Sequence, residues 1–169
     1  MRYFGAILIA MLILVSCDQN KIGYVEYISL MDDYQEKIDI ENKYKVKSEA
    51  MNKKRDSLAQ AIQLEYQAVQ TRVQSMSEKK AQEEIGLLQQ KSQFLGQQLQ
   101  QEEQQLKSAG QTEMDSLVSK VNKEIEEYGD ANGFTYILGA GDGASVLYGN
   151  DSKDLTEQIL KILNDKYKK

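Results

Sequence analysis

The chain has 169 residues and a net charge of −5, with one cysteine and no histidine, proline or tryptophan. Without histidine it cannot build a Ser-His, Cys-His or His-ligated metal site, so we expect no enzyme, no metal and no cofactor. An acidic chain is also poorly matched to nucleic acid, whose phosphates select basic surfaces.

The N-terminal segment predicts a lipoprotein signal peptide. Residues 4–15 form an apolar run of about a dozen residues, which is too short to span a bilayer and typical of a signal. Residues 14–17 (Leu-Val-Ser-Cys) resemble a bacterial lipobox. We therefore expect a signal at residues 1–16, acylation of Cys17 and a linker at residues 17–20. The alternatives are an ordinary secretory signal with a chance cysteine, or an uncleaved anchor.

A strand and a long helical segment follow. Residues 21–28 (KIGYVEYI) are rich in β-branched and aromatic residues, which predicts a strand. The segment from about residue 30 to 128 contains good helix formers and no proline, and Ser29 with Asp32 resembles a capping box at its start. One helix of that length would measure about 150 Å. A hairpin of two helices is therefore predicted, with the reversal at residues 75–77 and Ser77 as the second cap.

Apolar residues recur at heptad spacing on both predicted helices, which indicates a seam between them. The seam residues are Met51, Leu58, Ile62, Val69 and Met76 on the outgoing helix and Ile85, Leu88, Leu95 and Leu99 on the return. Near Gly110 the phase slips by about one residue, which predicts a new packing partner. Sixteen glutamines lie between Leu58 and Gln111. We interpret them as a solvated helix face, in preference to a disordered or aggregating tract.

The C-terminal zone predicts two strands and a last helix. Gly129 and Gly133 are expected to end the long helix. Residues 134–138 and 144–148 have strand character, and the glycines between them favour a hairpin turn. Asp154 predicts the start of the final helix. The apolar face of that helix contains Leu155, Ile159, Ile162 and Leu163.

These zones, in this order, make the chain resemble the Skp/OmpH family of periplasmic chaperones. The resemblance rests on KIGYVEYISL, on the long coiled arm and on ANGFTYILGAGDGASVLYGNDSKDLTEQILKILN near the end. It implies an α+β fold, in which a long antiparallel α-helical hairpin is inserted in a small β-strand body with a C-terminal helix. One domain would then cover residues 21–169, with the body at 21–30 and 129–169 and the arm at about 31–128.

The resemblance also implies a homotrimer whose arms enclose unfolded outer-membrane or envelope proteins without ATP. The seam residues would then bind clients, and Arg72, Lys79 and Lys80 would form a positive tip. The residues assigned to body packing and subunit contacts are Tyr24, Val25, Tyr136, Ile137, Val146, Leu147 and Tyr148. Well-known members are basic and soluble, whereas this chain is acidic and predicted to be periplasmic and membrane-anchored through Cys17. The alternative function is a structural or adaptor coiled-coil lipoprotein, in which the seam only closes the hairpin.

Overall fold

The computed structural model describes residues 20–141 and 143–168, so the predicted signal, Cys17 and Asp142 lie outside the described residues. The elements are β1 (Ile22–Glu26), α1 (Tyr27–Asp33), α2 (Gln35–Val73), α3 (Glu78–Ala131), β2 (Tyr136–Ala140) and α4 (Thr156–Tyr167), with one 3₁₀ turn at Asp151–Lys153. Helices α2 and α3, of 39 and 54 residues, form an antiparallel hairpin that we call the arm. The other elements, with the ends of α2 and α3 that pack on them, form the body. The predicted fold class is confirmed.

The first helix begins earlier than predicted. Tyr27 and Ile28, expected in the strand, form the first turn of α1. The residue at its N-cap position is Glu26, and no side chain caps the helix, so the Ser29 capping box was wrong. Leu30 in α1 and Tyr34 at its C-cap position are each 0% exposed. Their burial in the body outweighs the local strand propensity.

The small sheet is parallel, not the predicted hairpin. Strand β1 pairs with β2 in a register that runs from Ile22 opposite Tyr136 to Glu26 opposite Ala140. Residues 144–148 form no strand, and Val146 makes only an isolated bridge to Ala140. A parallel pair requires a long crossover, and here the whole arm supplies it.

The core lies where α1, α4 and the body end of the arm meet. Its buried residues are Val25, Leu30, Met31, Tyr34, Ile40, Leu117, Val121, Leu155, Ile159 and Leu163. The predicted apolar face of the last helix supplies three of them, while Ile162 is half-buried. Beyond Gly110, α3 joins this core through Leu117 and Val121. It also stays beside the outgoing helix there, so α3 gains packing partners and does not exchange one for another. The N-cap position of α4 is Leu155, one residue after the predicted Asp154. The Asp154 carboxylate still accepts a 2.9 Å bond from the Thr156 backbone N–H at the start of the helix.

Gly133 ends the long helix, as predicted. The Phe134 N–H donates to the Gly129 carbonyl at 2.9 Å, and the Gly133 N–H donates to the Asp130 carbonyl at 3.2 Å. This pair of bonds is a Schellman motif, which requires the left-handed φ of +68° that Gly133 adopts. Gly129 itself is not at the end. It is buried inside α3, where an added Cβ would lie 3.2 Å from Ile137 Cδ1.

Replacing Gly133 with alanine should lower the free energy of unfolding by about 1 kcal/mol, since an L-residue at this φ is strained. No atom lies within 4 Å of the added Cβ, so backbone strain is the only cause. Gly139→Ala is the matched control. A Cβ added at Gly139 would also have no atom within 4 Å, and Gly139 has no positive φ. The change in the free energy of unfolding should therefore stay within about 0.5 kcal/mol. Equal losses in the two variants, measured by urea denaturation, would contradict this assignment.

Candidate functional site

Five ion pairs, which we call the ladder, join α2 to α3 along one edge of the arm. From body to tip they are Glu36–Lys120, Lys43–Glu113, Lys54–Glu102, Glu65–Lys91 and Arg72–Glu84. Each step of seven or eleven residues along α2 is matched by an equal step back along α3. These steps rotate by about 20° in opposite directions around an α-helix, so the charges stay on one straight line.

The ladder fixes the register of the two helices. Sliding α3 by one seven-residue step in one direction would bring Glu36 to Glu113, and sliding it in the other direction would bring Lys43 to Lys120, so either shift creates a like-charged pair. Each partly exposed pair contributes at most about 1 kcal/mol to stability. The main effect of the ladder is therefore to select one alignment of α2 and α3, and its contribution to stability is small.

The predicted seam lies between the helices but is unevenly covered. Val69, Leu88 and Leu99 are buried, with exposed fractions of 4%, 4% and 8%. Five other seam residues are half-buried, namely Met51, Leu58, Ile62, Met76 and Leu95. The ninth, Ile85, is 39% exposed. The seam thus closes the hairpin at some positions and leaves apolar surface accessible at others.

Two grooves on opposite edges reach the seam at the middle of the arm. The groove on the ladder edge, of about 440 Å³, includes Lys54 and Glu102 in its lining. The groove on the other edge, of about 600 Å³, we call the open groove. Its lining comprises Arg55, Leu58, Ala59, Ile62, Gln63, Tyr66, Ser92, Leu95, Gly96, Leu99, Gln100 and Glu103. Because Leu58, Leu95 and Leu99 line both grooves, these apolar side chains are accessible from either edge.

Small residues keep the open groove unfilled. No atom lies within 4 Å of where a Cβ on Gly96 would stand, and Ala59 and Ser92 offer little more volume. A neighbouring groove of about 330 Å³, the proximal groove, shares Glu103 with it and continues toward the body. There the ring of Tyr44 fills the space beside Gly110, where an added Cβ would lie 3.1 Å from Tyr44 Cδ1. The edge opposite the ladder is therefore grooved over much of its length.

Four exposed apolar residues of the arm were missed by the seam pattern. They are Val46, Leu64, Leu87 and Phe94, with exposed fractions of 64%, 66%, 66% and 65%. The helical repeat places each about 60–80° beyond the ladder line, on the side away from the seam. A signal was present in the sequence, since the apolar doublets Leu87-Leu88 and Phe94-Leu95 recur seven residues apart.

The tip lies where it was predicted. Helix α2 ends at Val73 and α3 begins at Glu78, with Ser77 at the N-cap position but without a side-chain capping bond. Arg72 pairs with Glu84 at 3.0 Å. Lys79 and Lys80 are exposed and form no ion pair within residues 20–141 and 143–168. Arg72, one of the three predicted cations, is paired with Glu84, whereas the other two are not paired among the residues that the structure describes. A net positive charge at the tip therefore stays a prediction.

The residues assigned to subunit contacts fall into two groups. Tyr24 and Val25 are buried within the chain. The others are half-buried Ile137 and Val146 and the exposed Tyr136, Leu147 and Tyr148, with exposed fractions of 59%, 98% and 86%. In the described part of the chain, the edge of β2 away from β1 has no partner strand. The body thus presents a free strand edge beside exposed apolar side chains.

Acidification should weaken the ladder. The Lys43 ammonium, which donates to Glu113 at 2.7 Å, and then the Tyr44 hydroxyl at 2.9 Å lower the Glu113 pKa from its ordinary 4.5. Lys54 lowers the Glu102 pKa in the same way. A carboxylate with a lowered folded-state pKa stabilises the fold above its unfolded pKa, and this contribution is lost as pH falls through the folded value.

We therefore expect the thermal unfolding midpoint, followed by far-UV circular dichroism, to fall below about pH 4 and to change little between about pH 5 and 7. The control is the double variant Glu102→Gln and Glu113→Gln, which keeps the side-chain volumes and lacks both titrations. Its decline on acidification should be smaller than that of the wild-type chain. Superimposable pH profiles would show that these two carboxylates do not contribute.

Comparison with known proteins gave a family and a similar fold. The sequence profile of the family described as outer membrane protein (OmpH-like) matches residues 21–163. A crystal structure from Caulobacter crescentus, described as a candidate OmpH-like outer membrane chaperone, is similar with a TM-score of 0.75 at 13% sequence identity. The match covers 86% of this chain and 84% of that chain. At this identity the likeness concerns the fold. The search of curated proteins gave no significant match.

Proposed function

Since the chain belongs to the OmpH-like outer membrane protein family, we propose that it is a chaperone that holds unfolded outer-membrane or other envelope proteins without ATP. The similar Caulobacter protein is described as a candidate outer membrane chaperone, which agrees with this role. The observation that carries the proposal is the apolar surface left accessible along the arm. Leu64, Leu87 and Phe94 are each about two thirds exposed, and the grooves expose the seam from both edges.

The distribution of this apolar surface favours a holdase over an adaptor. An adaptor that binds one folded partner would carry one concentrated apolar patch. Here modest apolar side chains lie from Val46 to Val73 on α2, over about 40 Å at 1.5 Å per residue, and Met76 follows at the tip. Many weak contacts of this kind can hold a client without a fixed pose. The client leaves without fuel because its folded state in the membrane is lower in free energy.

The assembly that we propose is a homotrimer in which the arms surround a cavity. Its support is the free edge of β2 together with the exposed Leu147 and Tyr148. An open strand edge beside apolar side chains invites pairing with another chain. A body of this size is also marginal alone, so folding and assembly would be coupled.

The location that we propose is the periplasm, with the chain held at a membrane by acyl groups on Cys17. Only residues 18–20 separate Cys17 from Lys21, which immediately precedes β1. The body would therefore lie close to the membrane surface. Within residues 20–141 and 143–168 no helix has both the length and the apolar character that a membrane crossing needs.

Light scattering of a denatured β-barrel protein, diluted from urea, tests the chaperone role. We expect the chain to suppress scattering even when the molar concentration of trimer is below that of the client. The variant Leu64→Gln, Leu87→Gln and Phe94→Gln should suppress less well, since it removes exposed apolar surface without touching the core. The matched control changes three exposed glutamines of the same arm, Gln67, Gln90 and Gln97, to alanine.

Two outcomes separate the proposals. No suppression by the wild-type chain, with one folded protein recovered in pull-downs, would favour the adaptor. Suppression that all three proteins share equally would exclude the exposed arm residues as the binding surface. Native mass spectrometry of envelope complexes would report subunit number, acylation of Cys17 and bound clients together.

A further inference from the structure

We infer that the open groove and the proximal groove together bind one extended strand of an unfolded client, of the length and pattern of a transmembrane β-strand. This inference rests on the proposed chaperone role and names the part of the client that this edge of the arm holds. It is carried by the length of the grooved edge, by the chemistry of its lining and by its small number of charges.

The length of the grooved edge matches one strand. The two grooves share Glu103 and extend from Tyr44 to Tyr66 along α2. These residues are 22 positions apart, or about 33 Å at 1.5 Å per residue. An extended chain of about ten residues covers that distance at about 3.3 Å per residue. A transmembrane β-strand has about 9–11 residues, so one such strand fits the edge from end to end.

The lining suits a strand whose side chains alternate. The seam residues Leu58, Ile62 and Leu95 offer apolar surface inside the groove, and Gly96 leaves room for an inserted side chain. Strands of outer-membrane barrels alternate apolar and polar residues, because one face meets lipid and the other meets the lumen. In an extended conformation, every second side chain of such a strand can enter the groove while the others point to water.

The lining of the two grooves carries few charges, two cations and one anion. Arg55 and Glu103 carry opposite charges, and no other residue of the open groove is charged. The proximal groove adds one charge, that of Lys107. A lining of this kind favours a neutral segment and gives little reason for binding to depend on salt.

The glutamines supply hydrogen-bonding groups that the chain itself does not use. Of the sixteen between Leu58 and Gln111, only Gln98 and Gln111 make side-chain hydrogen bonds within the part of the chain that the structure describes. Gln63 and Gln100 line the open groove with both amides free. Each amide offers two donors and one acceptor, which match the unpaired N–H and C=O groups of an extended backbone.

The test measures binding of a fluorescent ten-residue uncharged peptide to the full chain in lipid nanodiscs, by anisotropy, with empty nanodiscs as background. The peptide alternates apolar and polar residues, and a second peptide has the same composition with its apolar residues in one block. The variant Gly96→Leu fills the open groove. Gly86→Leu is the matched control. Gly86 lies on the same helix and does not line the open groove, and a Cβ added there would also have no atom within 4 Å.

We expect Gly96→Leu to weaken binding of the alternating peptide at least about tenfold, since it removes the space for an apolar side chain. Gly86→Leu should change binding less than about twofold. The block peptide should bind more weakly than the alternating one. Raising the salt from about 50 to about 500 mM should change the affinity less than about twofold.

Several results would overturn the inference. These are unchanged binding by Gly96→Leu, equal binding of the two peptides, or a loss of affinity of about tenfold or more in high salt. A change of oligomeric state in Gly96→Leu would assign the groove to a second copy of the chain. If the wild-type chain suppresses aggregation of a whole barrel but these peptide results are negative, only the groove assignment fails. If it suppresses nothing, the chaperone role itself fails.

Discussion

Replacing Ile159 with alanine should lower the free energy of unfolding of the body by about 3 kcal/mol. Ile159 is 0% exposed and lies in the core where α4 meets α1 and the end of the arm. Truncation removes the transfer free energy of the lost methyl and methylene groups and leaves a cavity. Urea denaturation followed by tyrosine fluorescence would measure this, since most of the tyrosines belong to the body or the arm base.

Leu87→Ala is the control for this experiment, because Leu87 is 66% exposed on the arm. Its effect on stability should stay within about 0.5 kcal/mol. Both proteins must be compared at one concentration, since assembly would add to the apparent stability. A loss below about 1 kcal/mol for Ile159→Ala would show that α4 is not part of the cooperative core.

Replacing both Leu147 and Tyr148 with alanine should weaken subunit association at least about a hundredfold, because burying one such side chain contributes about 2 kcal/mol. These residues are 98% and 86% exposed, so they contribute little to packing within one chain. Sedimentation over a range of concentrations would report the shift from trimer to monomer.

A matched control for this variant lies on the arm, where Val46→Ala and Leu64→Ala remove similarly exposed apolar residues. The control should leave the association constant unchanged, since the proposed subunit contacts lie in the body. An unchanged association constant in the Leu147 and Tyr148 variant would remove this segment from the interface. A monomeric wild-type chain would contradict the trimer itself.

The helical hairpin could be predicted because its determinants are local and repeated. Good helix formers without proline set the two helices, and the seven-residue recurrence of Leu58 and its neighbours set their facing sides. The reversal was predicted at residues 75–77, with Ser77 as the cap of the second helix, and the structure places it between Val73 and Glu78. The last helix followed from Asp154 and an apolar face.

The strand pairing could not be predicted in the same way. Residues 134–138 and 144–148 are close in sequence and separated by glycines, which favoured a hairpin. Strand β2 instead pairs with β1, more than a hundred residues earlier. The pairing of β1 with β2 depends on the arm, which brings its two body ends close together. No short stretch of sequence encodes that proximity. The helical state of Tyr27 likewise follows from burial of Leu30 and Tyr34 in the assembled body.

The grooves were also beyond the seam pattern. A heptad count records where apolar residues stand, whereas a groove depends on which small residues lie beside them. Helix propensity alone would give Gly96 only a destabilising role, whereas its position opposite the ladder leaves the open groove unfilled. The charged residues Lys54 and Glu102 line the smaller groove on the ladder edge, and Gly96 with Ser92 leaves the larger groove on the other edge unfilled.

The spacing of the ladder has a consequence for how such arms can change in length. One seven-residue and one eleven-residue step together make about five complete turns, or roughly 27 Å of helix. Equal insertions or deletions of that size in α2 and α3 leave both edges of the arm facing the same way. The length of the arm can therefore change in steps of this size. An insertion in one helix alone would take the ladder pairs out of register and break the continuity of the opposite edge. Family members with longer or shorter arms are thus expected to differ by equal insertions or deletions in both helices.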